Sequence, residues 1–211
     1  MDVRASLNQA LLKPWAKPLV WLLCALPLAW LFARAATDQL GANPAEALIH
    51  ATGLWTIRWL WLTLAISPLR DAFGLPGLLR PRRALGVTAF IYGLLHFLAY
   101  AWLDKGLVLD DIVRDVLKRN FILVGLLALI LMTPLALTSF NRAIKALGGK
   151  RWQALHRLVY AVALLGLLHF YWKKAAKNDL AEVLVYAGIL AVLLVWRFRR
   201  RSRAARPLQA R

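Results

Sequence analysis

The 211-residue sequence holds one cysteine, ten acids and no polar stretch long enough to fold as a domain of its own. The single Cys24 excludes an intramolecular disulfide, a CxxCH cofactor attachment and a cysteine-based zinc site. No P-loop or dinucleotide fingerprint is present, so any NAD(P)H chemistry would belong to another protein. Charge is also scarce: 18% of residues are charged and 61% are apolar, a balance too greasy for an ordinary soluble domain. The formal charge of +18 does not indicate nucleic acid. The basic residues fall between and after apolar runs, where they would sit beside lipid headgroups.

The apolar residues are grouped in runs long enough to cross a bilayer, which takes about 20 residues per helix. Six spans can be drawn, at 18–33, 47–66, 84–103, 120–138, 154–172 and 180–197, within one transmembrane domain covering 1–211 and ending in a basic tail, 198–211. The expected fold is all-α, a polytopic bundle of six membrane helices. The first run follows Arg4, Lys13 and Lys17 as in a signal peptide. It lacks an A-x-A-like site followed by a soluble domain, so it reads as a retained helix. Pro27 and Pro134 fall inside spans, where membrane helices tolerate them. Gly41-Ala-Asn-Pro44, Ser67-Pro68, Leu75-Pro76-Gly77 and Gly148-Gly149 read as the punctuation of short loops. Leu107 to Lys118 differs: Leu109, Ile112, Val113, Val116 and Leu117 recur at helical spacing among acids, which predicts an amphipathic helix on the membrane surface. No internal repeat is evident.

Charge counting orients the bundle. The N-terminus, the second and fourth loops and the tail carry nineteen of the 28 Lys and Arg. The other three loops carry eight, together with eight of the ten acids. Both termini are therefore expected in the cytoplasm.

The four histidines, His50, His96, His156 and His169, all lie in or at the edge of a span. An ionisable group there is costly and marks function by default. The plain alternative is a hydrogen bond to a neighbouring helix. With no Asp or Glu deep in the membrane to build a proton relay, ligation of a cofactor is the stronger reading, and imidazole is a common axial ligand of haem iron. Depth sets the pairing. His96 lies 13 residues past Arg83, and His169 lies 12 past Arg157. Both are therefore roughly 18–20 Å into the bilayer from the cytoplasmic side. His156 is 13 residues from His169 on the same span, too far to share its iron. It remains open to a second haem, a flavin or a quinone. His50, at the outer end of the second span, is open to three roles: outer-site ligand, propionate partner or interfacial histidine. Arg58 on that span is the costliest residue in the chain, and a haem propionate is a natural partner; backbone carbonyls or snorkelling are the alternative. Trp55, Trp59, Trp102, Trp172 and Trp196 fit interfacial aromatic belts. The basic loops Arg80-Pro-Arg82-Arg83 and Gly148-Gly-Lys150-Arg151-Trp152 would attract a phosphate-bearing ligand, although ordinary positive-inside charge explains them as well.

Several runs resemble the MsrQ (YedZ) family: His50-Ala-Thr-Gly53, Ser67-Pro-Leu-Arg70, Arg82-Arg-Ala-Leu-Gly86, Leu95-His-Phe-Leu-Ala-Tyr100, Thr133-Pro-Leu-Ala-Leu-Thr-Ser139, the segment from Leu147 to Tyr160, and Leu168-His-Phe-Tyr-Trp172. The resemblance covers nearly the whole chain. It implies the haem-binding membrane subunit of a periplasmic methionine sulfoxide reductase system, with a ferric-reductase-like transmembrane domain carrying haem b and FMN in the bacterial inner membrane. It also implies electrons drawn from the respiratory quinone pool and delivered to a periplasmic molybdopterin-containing catalytic subunit, where the substrate is reduced. By position, His96, His156 and His169 match the family's haem-associated histidines, and His50 and Arg58 match its pattern. Related reductases carry two histidines in each of two helices. Here the third span has one. FMN would fall to the basic loops with Arg82, Arg83, Lys150, Arg151 and Trp152. A standalone ferric or flavin-dependent reductase, and a non-redox transporter or scaffold, are the competing readings.

Overall fold

A computed structural model describes residues 3–176 and 178–205, and every regular element among them is helical. Ten helices follow in order: α1 (Val3–Leu12), α2 (Ala16–Ala36), α3 (Pro44–Phe73), α4 (Arg82–Ala99), α5 (Leu109–Lys118), α6 (Asn120–Leu137), α7 (Asn141–Leu147), α8 (Gly149–His156), α9 (Leu158–Ala175) and α10 (Ala181–Ala205). A 3₁₀ turn, Pro76–Leu79, precedes α4, and a π-helical turn, Tyr100–Asp104, follows it.

Five stretches are long and apolar enough to cross a membrane: Ala16–Ala36, Pro76–Asp104, Asn120–Leu137, Gly149–Ala175 and Ala181–Arg200. The second of the six expected spans is the exception. Its helix, α3, is the longest at 30 residues, but His50, Arg58 and a set of threonines dilute its apolar character. The packing explains why that is tolerated. Thr52, Ile57, Trp59, Leu60, Trp61, Thr63, Leu64 and Ile66 of α3 are buried within the protein, so this helix need not be greasy all round. The helices at the periphery do the opposite. α2 exposes Leu22, Leu23, Leu26, Trp30 and Phe32, and α10 exposes Leu184, Val185 and Val192. Apolar area of that extent is a liability in water and ordinary against lipid.

The core is built where α3 packs along α4 and α6 along α9, the two most extensive helix contacts. Leu64, Ala89, Val162 and Ala163 are fully enclosed there. Small residues at Ala89 and Ala163 let the backbones approach closely, the usual means of helix association in a membrane. Asn43 caps α3 by accepting a hydrogen bond from the Glu46 amide at 3.1 Å, with Pro44 at the first helical position.

Several boundaries differ from the sequence-based expectation. Ser67-Pro68 is not a loop: α3 runs through it and stops at Gly74, whose φ of 65° is open to glycine. Lipid-facing helices accommodate such a proline because neighbouring groups take up the freed carbonyl. The fourth loop folds into α7 and α8 around Gly148 (φ 74°). The basic tail continues α10 as far as Ala205, and 206–211 lie outside the described residues. The N-terminal helix α1, which the sequence pattern did not announce, is held against the Pro76–Leu79 turn. There the Asn8 side chain accepts from the Gly77 amide at 2.8 Å, and Arg80 donates to the Leu11 and Leu12 carbonyls at the end of α1.

The amphipathic helix forms as expected, as α5, with Leu109, Val113 and Leu117 exposed along one stripe. Its opposite face is fastened by Asp115. That carboxylate accepts from Tyr100 Oη at 2.7 Å and from Arg119 at 2.5 and 2.7 Å, and lies 3.1 Å from Lys105 Nζ. Burial works against ionisation of Asp115, but the hydrogen bonds from Tyr100, Arg119 and Lys105 prevail and hold its carboxyl below the ordinary value of 3.8. A depressed acid stabilises the folded state fully above its unfolded pKa, and the contribution fades as pH falls through the lower folded value. The α5 attachment should therefore be intact at neutral pH and loosen only below about pH 4. Amide exchange across α5, compared at neutral and acid pH, checks this. In Asp115→Asn the fast, acid-type exchange should already be present at neutral pH.

Candidate functional site

The two core helix pairs meet at one end of the bundle, the end that carries most of the acids. The start of α3, the end of α4, the start of α6 and the end of α9 converge there around a cavity of about 370 Å³. That size falls within the range of small-molecule and cofactor pockets. His96 of α4 and His169 of α9 both line it, with ring centres 5.9 Å apart and ring planes crossed at 78°. With metal–imidazole bonds of about 2.0 Å, rings at this spacing are close enough that both histidines would reach one metal ion.

Each ring is oriented by a backbone carbonyl. His96 Nδ1 lies 2.8 Å from the Ile49 oxygen, and His169 Nδ1 lies 2.6 Å from the Phe121 oxygen. A carbonyl oxygen only accepts, so in both rings Nδ1 carries the hydrogen and donates it. The neutral imidazoles then keep Nε2 as the free lone pair. That is the tautomer a metal-ligating histidine needs, fixed from behind in the usual way. Both carbonyls come within reach because a glycine stands one turn further along: Gly53 on α3 and Gly125 on α6. A Cβ at Gly53 would sit 2.9 Å from His96 Nδ1, and one at Gly125 would sit 2.7 Å from His169 Nδ1.

A short repeat, overlooked in the sequence pattern, marks this arrangement. Gly93-Leu-Leu-His96-Phe97 and Gly166-Leu-Leu-His169-Phe170 are the same pentapeptide. The two copies fall on the two histidine-bearing helices. Gly93, Gly166, Phe97 and Phe170 all line the cavity along with the histidines.

His50 also lines the cavity, beside Ile49. Arg58 does not. Eight residues carry it about 80° further around α3 than His50. Its Nε instead donates to Tyr186 Oη of α10 at 3.0 Å, and its guanidinium lies 4.8 Å from the centre of the Trp55 ring. Arg58 is thus engaged by a phenol and an indole rather than lining the cavity. The basic side chains at the cavity are Arg119 and Lys173 instead, which share its rim with Glu46 and Asp104. Trp59 is likewise not part of an interfacial belt: it is 7% exposed, stacked 5.5 Å from Trp55.

His156 is far from this pair. It stacks on Trp152 with ring centres 3.9 Å apart, and its Nε2 lies 3.1 Å from Thr138 Oγ1. Trp152 Nε1 in turn donates to the Thr138 carbonyl at 2.9 Å. This cluster occupies the basic end of the bundle. Arg82 and Arg83 open α4 there, and Lys150 and Arg151 open α8. Arg83 donates to Asn141 Oδ1 at 2.8 Å, tying α4 to α7.

Comparison with known proteins agrees with the fold. Residues 52–167, from α3 into α9, match the family described as ferric reductase like transmembrane component. A protein of Polaromonas naphthalenivorans is 59% identical over 193 residues, 92% of this chain and 88% of its own length. A Ralstonia nicotianae protein is 49% identical over 88% of each chain, and one from Brucella anthropi is 44% identical over 89% of this chain and 87% of its own. All three are named protein-methionine-sulfoxide reductase heme-binding subunit MsrQ. No solved structure matches. On identity and coverage of this extent, the chain belongs to the MsrQ family, with a ferric-reductase-like transmembrane region.

Proposed function

We propose that this chain is the haem-binding membrane subunit of a methionine sulfoxide reductase system, holding a b-type haem between His96 and His169. The observation that carries the reading is the pair of carbonyl-anchored imidazoles, 5.9 Å apart across a cavity of cofactor size. A bound haem supplies a one-electron carrier. The protein's own residues do the rest. His96 and His169 would present Nε2 to the iron, the Ile49 and Phe121 carbonyls fixing each ring's hydrogen on Nδ1. Arg119 and Lys173 supply positive charge at the rim for the propionates, and His50 adds a polar group beside them. Phe97 and Phe170 provide the apolar surround that keeps water from the centre.

The relatives' names imply a catalytic subunit of methionine sulfoxide reductase as partner. In this reading it is a periplasmic molybdopterin protein, facing the acid-bearing end where the cavity lies. The chain sits in the bacterial inner membrane with both termini cytoplasmic, supported by the Lys and Arg asymmetry. α3 then completes a six-helix crossing, its Arg58 sheltered by Tyr186 and Trp55. Quinone and FMN, the family's other redox partners, belong at the basic end, where His156, Trp152, Arg82, Arg83, Lys150 and Arg151 gather. Electrons would enter there and leave at the opposite face. Purified protein should show a haem absorption spectrum that sharpens on dithionite, and a co-purified catalytic subunit given methionine sulfoxide should reoxidise it. A colourless folded preparation would contradict haem binding; reduced haem that the partner and substrate leave unchanged would contradict the electron-delivery role.

A further inference from the structure

The two histidines are held by one device used twice. In α3 the Ile49 carbonyl receives His96 Nδ1, and Gly53 four residues later clears the ring. In α6 the Phe121 carbonyl receives His169 Nδ1, and Gly125 four residues later clears that ring. The clearances have no slack, since an added Cβ would lie 2.7–3.0 Å from the nearest two ring atoms at either site. Neither ring can turn about its own axis without leaving its carbonyl, and the two carbonyls come from different helices. The crossing of the planes at 78° therefore follows from the placement of α3 against α4 and of α6 against α9.

We propose that Gly53 and Gly125 are positioning residues that lock the two axial imidazoles in crossed planes and so fix the electronic state of the iron they bind. This inference rests on the His96–His169 ligation proposed above. The physical consequence is specific. Parallel imidazoles donate into the same iron d orbital and split the dπ pair, which gives a rhombic low-spin spectrum with three resolved lines. Crossed imidazoles donate into one orbital each and leave the pair nearly degenerate, so the ferric spectrum collapses to a single feature at large g. The same orientation contributes to the reduction potential, because axial ligand geometry and the hydrogen bonds behind it set iron electronics.

Electron paramagnetic resonance of the purified, oxidised full chain tests this, with haem content measured on the same samples. The unsubstituted protein should show the large-g feature. Gly125→Ala and Gly53→Ala should keep their haem but move the feature toward a rhombic spectrum, because the new methyl pushes a ring off its carbonyl. Gly188→Ala on α10, whose added Cβ meets nothing within 4 Å, should leave the spectrum unchanged. A rhombic spectrum in the unsubstituted protein would overturn the proposal. So would an unaltered large-g feature in both Gly53→Ala and Gly125→Ala at full haem content. Should either variant fail to fold, the unsubstituted spectrum still decides the crossed-plane claim. Absence of haem from the unsubstituted protein would instead refute the ligation on which the inference rests.

Discussion

His169→Ala is expected to leave the purified protein without haem, and His96→Ala to do the same. The two rings form opposite walls of one site, 5.9 Å apart. Removing either leaves iron with a single protein nitrogen in a cavity that is otherwise largely apolar. His156→Ala should retain the low-spin spectrum of this pair, since His156 is engaged by Trp152 and Thr138 at the basic end. His50→Ala should also keep haem while lowering electron delivery, because His50 borders the cavity without belonging to the facing pair. Haem-to-protein ratios across these four variants check the set. Full haem content in His169→Ala would move the second ligand elsewhere.

The second large effect concerns the half-buried charge of Arg58 between α3 and α10. Tyr186→Phe should destabilise the protein by about 1.5–3 kcal/mol, the usual worth of a hydrogen bond to a charged group. It removes the oxygen that accepts from Arg58 Nε at 3.0 Å. The ring itself, packed edge-on to Phe170 at 5.9 Å and to Trp61 at 6.4 Å, is preserved. Arg58→Met removes the charge along with the need for that oxygen. Tyr186→Phe added to Arg58→Met should then cost much less than it does alone, and a double-mutant cycle by thermal or denaturant unfolding in detergent reads the coupling. Haem content should be unchanged in all three proteins. Loss of haem in Arg58→Met would assign Arg58 the propionate role instead.

The contrast between the histidine pair and Arg58 shows which parts of the molecule local sequence encodes. Spans follow from apolar run length, and the depth of a histidine follows from counting residues along a helix. The common depth of His96 and His169 is therefore legible once charge has oriented the spans, and their rings do lie 5.9 Å apart. The amphipathic spacing of Leu109, Val113 and Leu117 likewise anticipates α5. Pro68 misleads, because proline ends helices in water but is carried inside them next to lipid. Arg58 and Tyr186 are 128 residues apart, and no local pattern announces their contact. The carbonyl anchors are also hidden, since Ile49 and Phe121 act through their backbones and any residue supplies an oxygen. Their trace in the sequence is indirect: glycine four positions later on α3 and α6, and Gly-Leu-Leu-His-Phe twice on the helices opposite.

The central claim is that His169 supplies an iron ligand directly opposite His96. Chemical rescue of His169→Gly tests it most directly, with haem absorption and electron paramagnetic resonance recorded as free imidazole is added. If His169 is the ligand, the variant binds little haem alone, and imidazole diffusing into the vacated space restores a low-spin six-coordinate spectrum in a saturable manner. A six-coordinate low-spin spectrum in His169→Gly without imidazole, at the haem content of the unsubstituted protein, would contradict it.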